Sequence, residues 1–138
     1  MNCFVDTSAL VAMADESDPN HSRAREQWEE LTDSEELLIA TNYVIVETLA
    51  VLQRRLGLQA VREFLTEVCP AIEVEWVEVQ THEEGVERLL SLNRNKLSLV
   101  DCVSFGAMRR MAVKRAFTFD SHFREQGFEA LPVVPTSR

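Results

Sequence analysis

The sequence predicts an α/β fold in which a parallel sheet is covered by helices on both faces. Two observations carry that expectation. Short apolar runs of strand length alternate with longer helical segments, in the order strand, helices, strand, helices, strand, helices, strand. Two of the runs, residues 3–5 and 116–119, end directly on an aspartate. The carboxyl edge of an open α/β sheet is where ligands collect, near the point at which strand order reverses.

Residues 3–5 form the first strand, and Thr7 or Ser8 caps the Ala/Leu/Val/Met helix that follows Asp6. Asp15-Glu16-Ser17 is a loop, and Asp18-Pro19 reads as an N-cap followed by proline at the first helical position. The second helix covers residues 20–31, with Ala24, Trp28 and Leu31 on one face. Thr32-Asp33-Ser34 is a turn, and residues 37–40 are a buried strand too short to be a helix. Thr41 or Asn42 then caps a strongly apolar helix that reaches Leu56 and stops at Gly57.

A further helix over residues 58–69 ends before Pro70 and aligns Val61, Phe64, Leu65 and Val68. Residues 72–79 alternate, apart from Val77, as a strand with one exposed face does. Thr81-His82-Glu83-Glu84 is a capping box that opens a helix to Leu92. The linker over residues 93–97 carries Arg94 and Lys96, and Ser98 caps a helix over residues 99–111. The strand over residues 116–119 ends at Asp120, a short helix precedes Gly127, and Val133-Val134 adds a last strand.

At 138 residues the chain is expected to be one domain, residues 1–138. Its 46% hydrophobic and 27% charged residues are ordinary for a globular protein. No segment approaches the roughly 18 uninterrupted apolar residues of a membrane span, and no basic stretch leads into an apolar signal segment. Cys3, Cys69 and Cys102 are odd in number and lack CxxC spacing, which predicts reduced thiols in a cytoplasmic protein. The net charge of −9 argues against a generic nucleic-acid binder, which should be basic. A carboxylate cluster that binds divalent cations accounts for part of that charge.

Four acids stand out. Glu47 sits in Val44-Ile45-Val46-Glu47-Thr48-Leu49-Ala50, where no helical neighbour three or four positions away can pair with it. Burying it unpaired costs several kcal/mol, so it needs a partner or an exposed edge. Asp101 falls in the first turn of its helix and completes a box with Ser98. Asp6 and Asp120 each end a strand. An N-cap alone accounts for Asp6, Asp101 and Asp120 taken singly. Together, the four can converge in one crevice of a doubly wound sheet, where they cannot all stay ionised without a cation. Mg²⁺ or Mn²⁺ suits such a set of oxygen ligands and leaves positions open for a substrate phosphate.

Val5-Asp6-Thr7-Ser8-Ala9-Leu10, the helix-borne Glu47, Leu99-Val100-Asp101-Cys102 and Phe117-Thr118-Phe119-Asp120-Ser121-His122-Phe123 resemble the four acidic motifs of the PIN-domain family. The likeness is nearest to the VapC-like toxins of toxin–antitoxin pairs. It implies a three-layer α/β/α sandwich around a central parallel sheet of four to five strands. It also implies a Mg²⁺- or Mn²⁺-dependent endoribonuclease, a homodimer, and a cognate antitoxin that blocks the acidic pocket. Asp6, Glu47, Asp101 and Asp120 would hold metal directly or through water, with Thr7 and Thr118 as hydroxyl donors beside them. Val103-Ser104-Phe105 is bulkier than the aliphatic run of many relatives. A PIN-like RNA- or protein-binding subunit with little turnover is the alternative reading.

Other chemistry is thin. His21, His82 and His122 show no metal spacing such as HExxH, and only His122 lies beside a motif acid. No GxxxxGK[ST] or GxGxxG occurs, which excludes the familiar nucleotide-cofactor loops. Arg109, Arg110, Lys114 and Arg115 favour the C-terminus of the Asp101 helix, with phosphate contact as the other option.

Overall fold

The structure, a computed structural model of the chain, describes residues 1–134. Five parallel strands stand in the order β3-β2-β1-β4-β5: β1 (Asn2–Val5), β2 (Leu37–Thr41), β3 (Ile72–Glu75), β4 (Arg115–Phe117) and β5 (Glu129–Leu131). Helices flank the sheet in a three-layer α/β/α sandwich: α1 (Thr7–Ala14), α2 (His21–Asp33), α3 (Asn42–Leu56), α4 (Leu58–Glu63), α5 (Val79–Leu92), α6 (Leu99–Arg110) and α7 (His122–Glu125). The chain builds outward from β1 to β2 and β3, then crosses back to lay β4 and β5 on the other side. The strand order therefore reverses between β1 and β4, where Val5 lies opposite Phe117. The first strand is the centre of the sheet, which explains its unbroken burial from Cys3 to Val5.

Large side chains from every layer meet in the core. Phe4, Leu10, Leu38, Leu52, Phe105, Phe117 and Phe123 are all fully buried. Phe105, bulky for its position, meets Phe123 edge to face at 5.0 Å and stacks on Phe128 at 6.0 Å. It thereby ties α6 to the segment that carries α7 into β5. Helices α5 and α6 pack closely: a Cβ on Gly85 would meet Val103 Cγ2 at 2.6 Å, so this approach requires glycine.

Most element expectations hold, and the departures have physical causes. Asp6 itself, not Thr7 or Ser8, is the N-cap of α1. Asn20, without a side-chain capping bond, occupies the cap of α2 in place of Asp18, whose Oδ1 instead accepts from the Asn20 amide at 2.8 Å. Strand β3 stops at Glu75 rather than continuing to residue 79, because its only pairing partner, β2, turns into α3 after Thr41. Trp76 is left 72% exposed, and the Asn42 side chain takes up the Val77 amide at 2.7 Å. Helix α5 then starts at Val79, so Thr81 lies inside its first turn and the Thr81–Glu84 capping box does not form.

Gly57, at φ 93°, ends α3 as expected. The helix after it is not uniform. Residues Phe64–Val68 form a π-turn, in which the Cys69 amide bonds the Phe64 carbonyl. The extra residue per turn rotates the expected face: Phe64 is buried, Val61 and Val68 are half-buried, and Leu65 is 43% exposed. The last strand is Glu129–Leu131, not Val133-Val134, since β4 offers pairing only from Arg115 to Phe117. Among the described residues, no helix is long and apolar enough to cross a membrane.

Candidate functional site

The switch point between β1 and β4 gathers the acids. Asp6 leaves β1 in extended conformation (φ −99°, ψ 157°) and caps α1 through the Ser8 amide. Its Oδ2 accepts from Ser8 Oγ at 2.7 Å and from Thr118 Oγ1 at 2.9 Å. The two hydroxyls in turn accept from the segment just after β4: Ser8 Oγ from the Phe119 amide and Thr118 Oγ1 from the Asp120 amide, each at 2.9 Å. Two chain segments more than a hundred residues apart are thus clamped on one carboxylate oxygen. Among the described residues no hydrogen bond engages the other oxygen, Oδ1.

Asp101 is held in a similar way. It is the third residue of α6, and a reciprocal capping box joins its Oδ2 and amide to the Ser98 amide and hydroxyl, both at 3.1 Å. The cap reading is therefore correct, yet it leaves Oδ1 of Asp101 uncommitted among the described residues. Asp120 lies just past β4, and its Oδ1 accepts from the His122 amide at 2.9 Å. Glu47 reaches the same place from α3, half-buried.

All four carboxylates line one cleft of about 510 Å³, with Arg55 and Lys96 on its walls. Burial pushes the Asp6 carboxyl up to about 7, opposed by the Ser8 hydroxyl and reinforced by the charge of Asp101. Burial also raises Asp101, opposed by its bond from the Ser98 amide and reinforced by the charges of Asp120 and Glu47. Crowded like charges and desolvation thus act together. A dication would relieve both, and the donors fit one: Asp101, Asp120 and His122 offer ligand atoms all within 4.8 Å of one another. Thr7, 8% exposed as a residue, adds a buried hydroxyl with no hydrogen-bond partner among the described residues.

Sequence reasoning missed Ser8, the hydroxyl that fixes Asp6 while Thr7 does not. The available signal was its position two residues after an N-cap aspartate, where a serine can bond back to the carboxylate. Arg55 and Lys96 were missed as cleft residues, since nothing local marks them. The basic concentration after Asp101 lies elsewhere. Arg109 donates to the Gln126 carbonyl and covers the Phe128 ring, Arg110 pairs with Glu84, and Arg115 with Glu36.

Residues 3–129 match the PIN domain family. The chain belongs to the PIN-domain family. Among its PIN relatives is the 23S rRNA-specific endonuclease VapC20 of Mycobacterium tuberculosis, in strains CDC 1551 and H37Rv. It is 31% identical over 126 residues, covering 91% of this chain and 94% of the relative. The crystal structure of that protein, a sarcin–ricin loop cleaving toxin, superposes with a TM-score of 0.80 at 29% identity. It spans 92% of this chain and 96% of its own. PAE2754 of Pyrobaculum aerophilum shares the PIN fold at a TM-score of 0.62 and 17% identity, over 97% of this chain and 88% of its own.

The raised Asp6 carboxyl has a consequence for metal-free protein. Between its ordinary value near 4 and about 7, the folded state holds a proton that the unfolded chain releases. Stability from this group is complete below pH 4 and is lost as pH rises through 7. Asp6→Asn should therefore unfold at higher denaturant than wild type at pH 8, by about 2–4 kcal/mol, and lose that advantage at pH 4. Equal stability of the two proteins at pH 8 would show that the carboxylate is not destabilised by its surroundings.

Proposed function

We propose that this chain is a divalent-metal-dependent endoribonuclease and the toxin of a toxin–antitoxin pair. The observation that carries the reading is the convergence of Asp6, Glu47, Asp101 and Asp120 on one cleft in a PIN fold. The likeness to a 23S rRNA-specific endonuclease along most of both chains supports RNA as substrate, with ribosomal RNA the first to try.

In this reading Asp6 and Asp101, each with Oδ2 already hydrogen-bonded, would hold the ion through Oδ1, and Asp120 and Glu47 would complete the set directly or through water. When bound, Mg²⁺ or Mn²⁺ supplies Lewis-acid polarisation of a phosphodiester and a water acidified for in-line attack. The protein's own contribution is preorganisation. Ser8 and Thr118 hold Asp6, and Ser98 holds Asp101, so neither carboxylate has to reorient at the moment of reaction. Arg55 and Lys96 bring positive charge to the rim, where the flanking phosphates of an RNA strand would lie. The cognate antitoxin is a small protein that places a basic side chain in the same acidic cleft.

The rest of the reading is a cytoplasmic protein, with residues 1–138 as one domain. One sheet and one core run from Cys3 to Leu131, and all three cysteines are free thiols, which supports both. Limited proteolysis that releases a stable subfragment would contradict the single domain. We also read a symmetric homodimer through the end of α3 and the helical region after it, where Leu56, Leu58 and Leu65 are exposed. Sedimentation at micromolar concentration should give twice the mass of the chain, and a monomer there removes the dimer.

Purified protein should cut RNA with Mg²⁺ or Mn²⁺ and stop on chelation. Asp101→Asn keeps the capping acceptor and loses about 0.3–1 kcal/mol of dipole interaction, so folding should survive. Cleavage should fall by orders of magnitude, along with growth arrest on expression. A mutant that still cuts at the wild-type rate returns Asp101 to its cap. Wild-type protein that binds metal and RNA without cutting would favour a binding subunit instead.

A further inference from the structure

Helix α7 opens immediately after Asp120, and this places an imidazole beside the acids. The His122 amide donates to Asp120 Oδ1 at 2.9 Å, and the His122 ring nitrogen Nδ1 lies 2.8 Å from the same oxygen. That contact is short and is an ion pair only with a protonated ring, yet it lacks hydrogen-bond geometry: Nδ1 is buried and, among the described residues, no acceptor or donor stands in line with it. A ring that merely steadied Asp120 would aim its N–H at the carboxylate. The lone pair of a neutral ring lies along that same direction. Nδ1 and Oδ1 are thus close neighbours that do not bond each other and can both face a shared cation off the line between them.

The spacing suits a shared ion. Ligands about 2.1 Å from an octahedral dication lie about 3.0 Å apart when adjacent and about 4.2 Å apart when opposite. Nδ1 and Oδ1 are separated by 2.8 Å, and the set of Asp101, Asp120 and His122 spans no more than 4.8 Å. Thr7, whose buried hydroxyl has no hydrogen-bond partner among the described residues, lines the same cleft as these acids and is a second polar group free to meet a ligand there.

We propose that His122 is a nitrogen ligand of the metal centre, so that the cleft takes Mn²⁺ in preference to Mg²⁺. This rests on the metal-dependent reading above and adds to the four acids a donor of a different kind. Carboxylates alone accommodate Mg²⁺ and Mn²⁺ alike, whereas imidazole favours the first-row transition ion. Mg²⁺ also gives up its waters reluctantly, and a nitrogen ligand offers it little in exchange. His122 enters through geometry alone. It follows the fourth acid by two residues, as the first residue of α7, which sets its ring nitrogen beside Asp120 and within reach of Asp101.

The test uses the whole protein stripped of metal and titrated with Mn²⁺, with Mg²⁺ as competitor, followed by electron paramagnetic resonance. Wild type should bind Mn²⁺ with a ¹⁴N hyperfine coupling in the electron spin echo, and about tenfold more tightly than Mg²⁺. Labelling histidine with ¹⁵N should change that pattern, a readout that needs no mutant to fold. His122→Gln retains the backbone bond to Asp120. It should lose the coupling and about tenfold in Mn²⁺ affinity, with Mg²⁺ affinity unchanged. Mn²⁺ held in wild type without a nitrogen coupling would overturn the ligand role of His122 and leave the carboxylate site standing. No specific Mn²⁺ binding, or binding indifferent to Asp101→Asn, would overturn the metal centre itself.

Discussion

Four carboxylates occupy one end of a parallel sheet, and their mutual repulsion is the constraint on which the site depends. Asp6 leaves the central strand, Asp120 follows the neighbour across the switch point, and Glu47 and Asp101 arrive on helices. Burial raises Asp6 and Asp101, and each is raised further by a neighbouring acid. A fold does not accumulate such a cost in its interior without a compensating charge. The hydroxyls of Ser8, Ser98 and Thr118 offset it in part, each by donating a bond directly or by holding the backbone that carries an acid. The bonds they make are also the ones that fix the geometry, so the same groups limit the destabilisation and preorganise the cleft.

The net charge of −9 bears on how RNA is admitted. An acidic balance disfavours broad attraction of a phosphate backbone, and the cations nearest the acids are Arg55, itself 3.9 Å from Asp15, and Lys96, with a separate arginine-lined groove between α5 and α6. In that groove Arg110 is paired with Glu84. Association is then expected to depend on a few contacts near the acids rather than on broad electrostatic attraction, with a shallow salt dependence to match. A compact RNA element that presents its backbone at one point suits such a surface better than a long duplex does.

Much of the fold was readable from local chemistry. The strand–aspartate–helix start, the Thr41 and Ser98 caps, and the Gly57 stop all follow from rules that act within a few residues, and the structure agrees with them. The misreadings share another cause. Strand β3 and strand β5 end where their partners end, which is a property of β2 and β4 and not of residues 76–79 or Val133-Val134. The π-turn at Phe64–Val68 shifts a helical face that a fixed period cannot describe. At the site, the acids announced themselves by standing at strand ends or among apolar neighbours. Arg55 and Lys96 join them only through the tertiary fold, so their places could not be read along the chain, whereas Ser8 and His122 each stand two residues after an acid and carried a local signal.

Diffraction at the manganese absorption edge, from crystals of metal-free protein soaked in Mn²⁺, tests the central claim most directly. The account predicts an anomalous peak in the cleft, at bonding distance from Asp6 and Asp101, with Asp120 and Glu47 bound directly or through water. A cleft without that peak, or manganese held only at unrelated surface acids, would contradict it.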